Sequence, residues 1–140
     1  QNSRLDELQA AFLAAKLPHL DAMNAERRRI AARYLAEMHN PAVTLPAELP
    51  DCIHVWHIFA VRCADRNALE KHLNARGIGT NKHYPTPIHL QGAYAELGLG
   101  RGALPLAEEI SATELSLPMF YGMTDAQVQA VIDAVNEFEG

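Results

Sequence analysis

Apolar positions repeat at helical spacing through the first forty residues. Leu5, Leu8 and Phe12 recur three to four apart, with Ala10, Ala11, Ala14 and Ala15 between them. Pro18 removes a backbone donor, so the pattern predicts helix over residues 3–38 in two pieces, kinked or briefly broken there. The second piece aligns Leu20, Met23, Arg27, Ile30, Tyr34 and Met38 on one side, and Asn40-Pro41 stops it. Pro46 and Pro50 mark a loop. The period then changes. CIHVWHIFAVR, residues 52–62, is rich in β-branched and aromatic side chains and reads as a strand, and its near-continuous apolarity predicts burial on both faces. Asp65 can cap a helix over 67–76, with Gly77 as its left-handed terminator. A short strand is expected over 78–82. One or two helical turns follow over 91–97, ended by Gly98 and Gly100. A helix over 105–113 carries Pro105 in its first turn, and a strand over 114–117 ends at Pro118. Thr124-Asp125-Ala126-Gln127 fits a capping box for a last helix whose buried face is Val128, Val131, Ile132, Val135 and Phe138.

This order predicts an α+β fold: a small, mostly antiparallel sheet covered by helices, with a long N-terminal helix. Residues 1–38 read as a linking helix and 39–140 as a small domain. There is no internal repeat. Composition changes little: 49% hydrophobic and 21% charged residues are ordinary for a globular chain. The net charge of −5 argues against a nucleic-acid partner, and Arg27-Arg28-Arg29 beside Glu26 reads as a solvated helix face. No apolar run is long enough for a membrane span and no signal peptide is evident, which makes the cytoplasm the expected compartment. Cys52 and Cys63 lack metal spacing and are expected as buried free thiols.

The densest chemistry lies in KHYPTPIHLQGAY, residues 82–94. It holds two histidines, two tyrosines, a lysine and two prolines. The X-Pro steps exclude a helix or a central strand, so this is a loop, either a surface connector or part of a site. His83, between Lys82 and Tyr84 and directly after the short strand, is the best single candidate for holding an anion or moving a proton. No acidic or cysteine partner completes a metal set near His83 and His89, and His54 and His57, three apart in the expected strand, point to opposite faces. GLGRG, residues 98–102, lacks the frame of a phosphate loop and reads as a turn.

Three stretches together resemble one family. NSRLDELQAAFL (2–13), HYPTPIHLQGAYAELG (83–98) and LPLAEEISATELSLPMFYGMTDAQVQAVI (104–132) are similar, in order and over essentially the whole chain, to the C-terminal part of the DegT/DnrJ/StrS family. WHIFAVR (56–62) and NARGIGTNKHYP (74–85) fit the same pattern. These are pyridoxal-phosphate-dependent sugar aminotransferases, which move an amino group from an amino acid, usually glutamate, onto the keto group of a nucleotide-linked sugar. The resemblance implies the smaller C-terminal domain of a fold-type-I aminotransferase, dimeric, with sites at the dimer interface.

Carried over by position, the resemblance assigns Asn2 to the cofactor phosphate of the partner subunit, with Arg4 beside it as an anion contact or helix anchor. It assigns His83 to the wall of the sugar-nucleotide site, with Tyr84 adjoining. His89 and Gln91 form an HLQ extension that favours amination at carbon 3. LSLPM (115–119) and the turn at 122–125 are expected to be structural. The Schiff-base lysine, the carboxylate that pairs with the pyridine nitrogen and the ring-stacking aromatic belong to a large domain that this sequence does not contain, and Lys82 lies in the wrong motif to replace that lysine. The chain alone is therefore expected to bind no cofactor and to be inactive, and Gln1 as first residue favours a piece of a longer enzyme. The rival reading is a freestanding binding or regulatory module. Without a large domain the apolar stripe of the first helix lies bare, so a homo-oligomer is expected.

Overall fold

The structure is a computed structural model and describes residues 6–140. Asn2 and Arg4 lie outside the described residues. Asp6 caps α1 (Glu7–Lys16) by accepting from Gln9 N–H. Pro18 then forces a 3₁₀ turn, Leu17–His19, before α2 (Leu20–Glu37). No residue of α1 is buried, and Leu8, Phe12, Leu13 and Leu17 are all exposed. Along α2 the buried face begins only at Ile30, continuing through Ala31, Tyr34 and Met38.

Three strands form an antiparallel sheet in the order β1 (Val43–Thr44), β2 (Phe59–Cys63), β3 (Glu114–Leu117). Phe59 pairs with Leu117 and Val61 with Leu115, which places these four side chains on one face. Helix α2, α3 (Arg66–Ala75) and α5 (Asp125–Asn136) complete the core on that face with Tyr34, Leu69, Leu73, Val128 and Val135, all fully buried. Tyr34 stacks edge-on against Phe59 at 5.0 Å and donates its hydroxyl to the Pro118 carbonyl. Burial pushes the Tyr34 phenol upward. Asp65 caps α3, Gly77 ends it at φ +75°, and the Thr124–Gln127 capping box opens α5 with both reciprocal bonds formed.

The opposite face of the sheet is polar. Ala60 opposes Ser116 and Arg62 opposes Glu114. Helix α4 (Pro105–Thr113) lies beside this face, where Glu109 pairs with Arg62 at 2.5 Å. Arg66 donates to the Ser111 carbonyl at the end of α4, holding the helix to the start of α3.

The structure corrects several expectations. The strand expected over 52–62 is Phe59–Cys63 only, buried on alternate positions rather than on both faces. Its partners β1 and β3 are two and four residues long, so residues 52–58 have nothing to pair with. Trp56 turns at φ +47° and its N–H bonds to His54 Nδ1, while Ile53 and Val55 are exposed. His54 and His57 are thus loop residues, and Cys52 is an exposed thiol; only Cys63 is buried. The strand expected over 78–82 is a single bridge, Asn81 to Ser116, on the free edge of β3. Strand β1, between Pro41 and Pro46, was not expected.

Phe59→Ala empties the centre of the core, where Phe59 meets both Tyr34 and Trp56. Denaturant unfolding is expected to show a loss of about 3–5 kcal/mol. Leu8→Ala, on exposed α1, is expected to change stability by less than about 0.5 kcal/mol.

Candidate functional site

The loop 82–91 sits over the polar face of the sheet, and it is tied down at both ends. Lys82 leaves the edge bridge and its ammonium pairs with Glu70 of α3 at 2.5 Å. His83 follows, half-buried, and its backbone N–H donates to Glu114 Oε2 at 2.8 Å. Its ring reaches Ser116 Oγ through Nδ1 at 2.9 Å and Asn81 Nδ2 through Nε2 at 3.2 Å. Glu114 and Ser116 are buried polar residues of β3, and Ser116 also donates to Glu114 Oε1. Ser111 of α4 donates to the Tyr84 carbonyl at 2.7 Å, while the Tyr84 ring stands out into solvent.

Pro87 directs the chain into two 3₁₀ turns, Ile88–Leu90 and Gly92–Leu97. Between these turns, the loop and α4 lies an open cavity of about 600 Å³. His83, Tyr84 and His89 all line it, and Tyr94, Leu104 and Ile110 supply apolar walls. His89 is buried, with its Nε2 3.1 Å from Glu108 Oε1. Glu108 also accepts from the backbone N–H of Gly102 and of Leu104, so the glycine-rich turn at 98–102 is anchored to this carboxylate. Burial would raise the Glu108 carboxyl, but the Gly102 N–H, the His89 ring and the Leu104 N–H together hold it below the usual carboxylate range.

The structure therefore brings together three of the expected site residues, His83, Tyr84 and His89, along one cavity. His83 and Tyr84 present chemistry to it; His89 is a wall locked to α4. Sequence reasoning overlooked Glu114, Ser116 and Glu108. Glu114 and Ser116 alternate with Leu115 and Leu117 in a strand buried at every position, and two buried polar groups on one strand face were the available signal. His89 and Glu108 are nineteen residues apart and carry no local signal.

Lys82, the lysine beside the loop, pairs with Glu70 of α3. Among the described residues no cluster of three or more histidine, cysteine or carboxylate groups is arranged for a metal ion. No described helix is long and apolar enough to cross a membrane.

Comparison with known proteins gives a consistent answer. The family model described as the DegT/DnrJ/EryC1/StrS aminotransferase family matches residues 1–136. The chain is 47% identical over 138 residues to dTDP-3-amino-3,4,6-trideoxy-α-D-glucose transaminase of Streptomyces venezuelae, covering 98% of this chain and 36% of that protein. It is 49% identical over 119 residues to the erythromycin biosynthesis sensory transduction protein EryC1 of Saccharopolyspora erythraea, covering 84% of this chain and 32% of that one. The crystal structure of S. venezuelae DesV in complex with a ketimine intermediate superimposes with a TM-score of 0.94 at 47% identity, over 98% of this chain and 37% of that one. The chain spans about a third of the length of the relatives it matches.

Glu108→Gln tests this anchor. A carboxyl held low in the folded state stabilises the fold above its unfolded value of about 4.3, and that stabilisation disappears as pH falls through the folded value. The variant is expected to melt below the parent chain at pH 7, with the difference shrinking toward pH 3. An unchanged difference across that range contradicts the assignment.

Proposed function

The chain belongs to the DegT/DnrJ/EryC1/StrS aminotransferase family, and from that we propose that it is the C-terminal domain and linking helix of a nucleotide-sugar aminotransferase. The reaction of the whole protein moves an amino group from an amino acid, glutamate first among the candidates, to the keto carbon of a nucleotide-linked deoxy sugar. The observation that carries this reading is the likeness, over nearly all of the chain, to a transaminase of a dTDP-3-amino sugar. That name also favours carbon 3 as the position aminated. Pyridoxal phosphate supplies the electron sink for such a transfer when bound.

In this reading the cavity lined by His83, Tyr84 and His89 is one wall of the sugar-nucleotide site. Its apolar sides suit a deoxygenated sugar ring, since a carbon without a hydroxyl leaves no polar group to satisfy. Asn2, with Arg4 beside it, contacts the cofactor phosphate of a second copy. The cofactor's lysine lies in sequence beyond this chain. The bare apolar side of α1 is the surface through which the chain meets the rest of the enzyme or a second copy, in the cytoplasm. Alone, the chain is catalytically silent.

The name of the EryC1 relative favours a second reading, a binding or regulatory module. The two readings separate on cofactor and ligand titration of this chain. The aminotransferase reading expects no saturable lysine-linked absorbance band on adding pyridoxal phosphate, and weak binding of dTDP-sugars by calorimetry. A saturable band overturns the claim of silence. Stoichiometric, tight binding of a small molecule favours the module.

A further inference from the structure

The groups around His83 form a network in which each proton can be assigned. Asn81 Oδ1 accepts from the Lys82 N–H at 2.9 Å, which fixes the amide and leaves Nδ2 toward His83. An amide nitrogen only donates, so His83 Nε2 accepts, and in a neutral ring the proton is then on Nδ1. Nδ1 donates to Ser116 Oγ at 2.9 Å. Ser116 has one proton and passes it to Glu114 Oε1, while Glu114 Oε2 accepts from the His83 backbone N–H. Every donor meets an acceptor, and no alternative placement of the ring proton does so. Ser116 and Glu114 are about nineteen-twentieths buried, each at 5% exposure, so water does not compete for these bonds.

We propose that Ser116 and Glu114 are positioning residues that hold His83 as its Nδ1–H tautomer and leave Nε2 as the ring's proton acceptor. Asn81, the present occupant of Nε2, is exposed and edge-bound, and a substrate proton displaces its weak contact. When Nε2 takes a proton, the only bond formed is N–H and the only bond broken is that of the proton donor. The positive ring is then linked through the Ser116 hydroxyl to the Glu114 side chain. A second, neutral feature lies in the same place: the Thr80 hydroxyl is buried without a partner and lines a small cavity shared with His83, His57 and Ser116. A polar ligand group entering there would meet both Thr80 and the histidine.

This deepens the aminotransferase reading, in which His83 faces the sugar nucleotide, by naming which nitrogen acts. The test needs no cofactor or sugar, so its outcome is separate from the fate of that reading. Nitrogen-15 chemical shifts of the His83 ring in this chain report the tautomer directly. The Nδ1–H form is expected to dominate. Ser116→Ala removes the acceptor and is expected to shift the ratio toward Nε2–H by about tenfold, the equivalent of one ordinary hydrogen bond. Ser116→Thr keeps a hydroxyl and is expected to restore the Nδ1–H form. An Nε2–H majority in the unmodified chain overturns the proposal, and so does a ratio that Ser116→Ala leaves unchanged. Should the alanine variant not fold, the spectrum of the unmodified chain decides alone.

Discussion

Strand β3 is four residues long and buried on both faces, and the molecule is organised around that fact. Leu115 and Leu117 enter the hydrophobic core opposite Val61 and Phe59. Glu114 and Ser116 point the other way, into a layer of loop and helix, where an unpaired carboxylate would cost several kcal/mol, on the order of the desolvation penalty of one ion. The fold meets that cost by bringing His83 over the strand. One side of β3 therefore secures the core and the other fixes the histidine, so core packing and site geometry are set by the same four residues.

The rest of the loop follows from two further anchors. Lys82 pairs with Glu70, which ties the loop's entry to α3. Glu108 gathers His89, Gly102 and Leu104, which ties its exit to α4. Between the anchors, Tyr84 projects from backbone held by Ser111. A loop with prolines at 85 and 87, fixed at both ends, presents its side chains with little freedom, which suits a wall of a binding site. Its walls are largely apolar, with Tyr94, Leu104 and Ile110 facing the cavity beside the two histidines.

Local chemistry was legible in the sequence and non-local pairing was not. The capping box at Thr124, the Asp65 cap, the Gly77 terminator and the ELSL strand depend on residues a few positions apart, and each was readable. The apolar run at 52–58 looks like strand by composition, but its conformation is decided by the shortness of β1 and β3, which composition does not encode. Strand β1 is too short, between two prolines, to carry a period. The loop was singled out because its residue types are unusual together. Its supporting shell was missed because Glu114 and Ser116 meet His83 across some thirty positions.

We read this chain as one wall of a larger enzyme. The measurement that tests this most directly is the intact mass of the natural gene product in its source cells. A mass more than twice the 15.4 kDa of this chain is predicted, with the cofactor's lysine in the additional sequence. A product of 15.4 kDa, folded and present in the cell at that size, would contradict it.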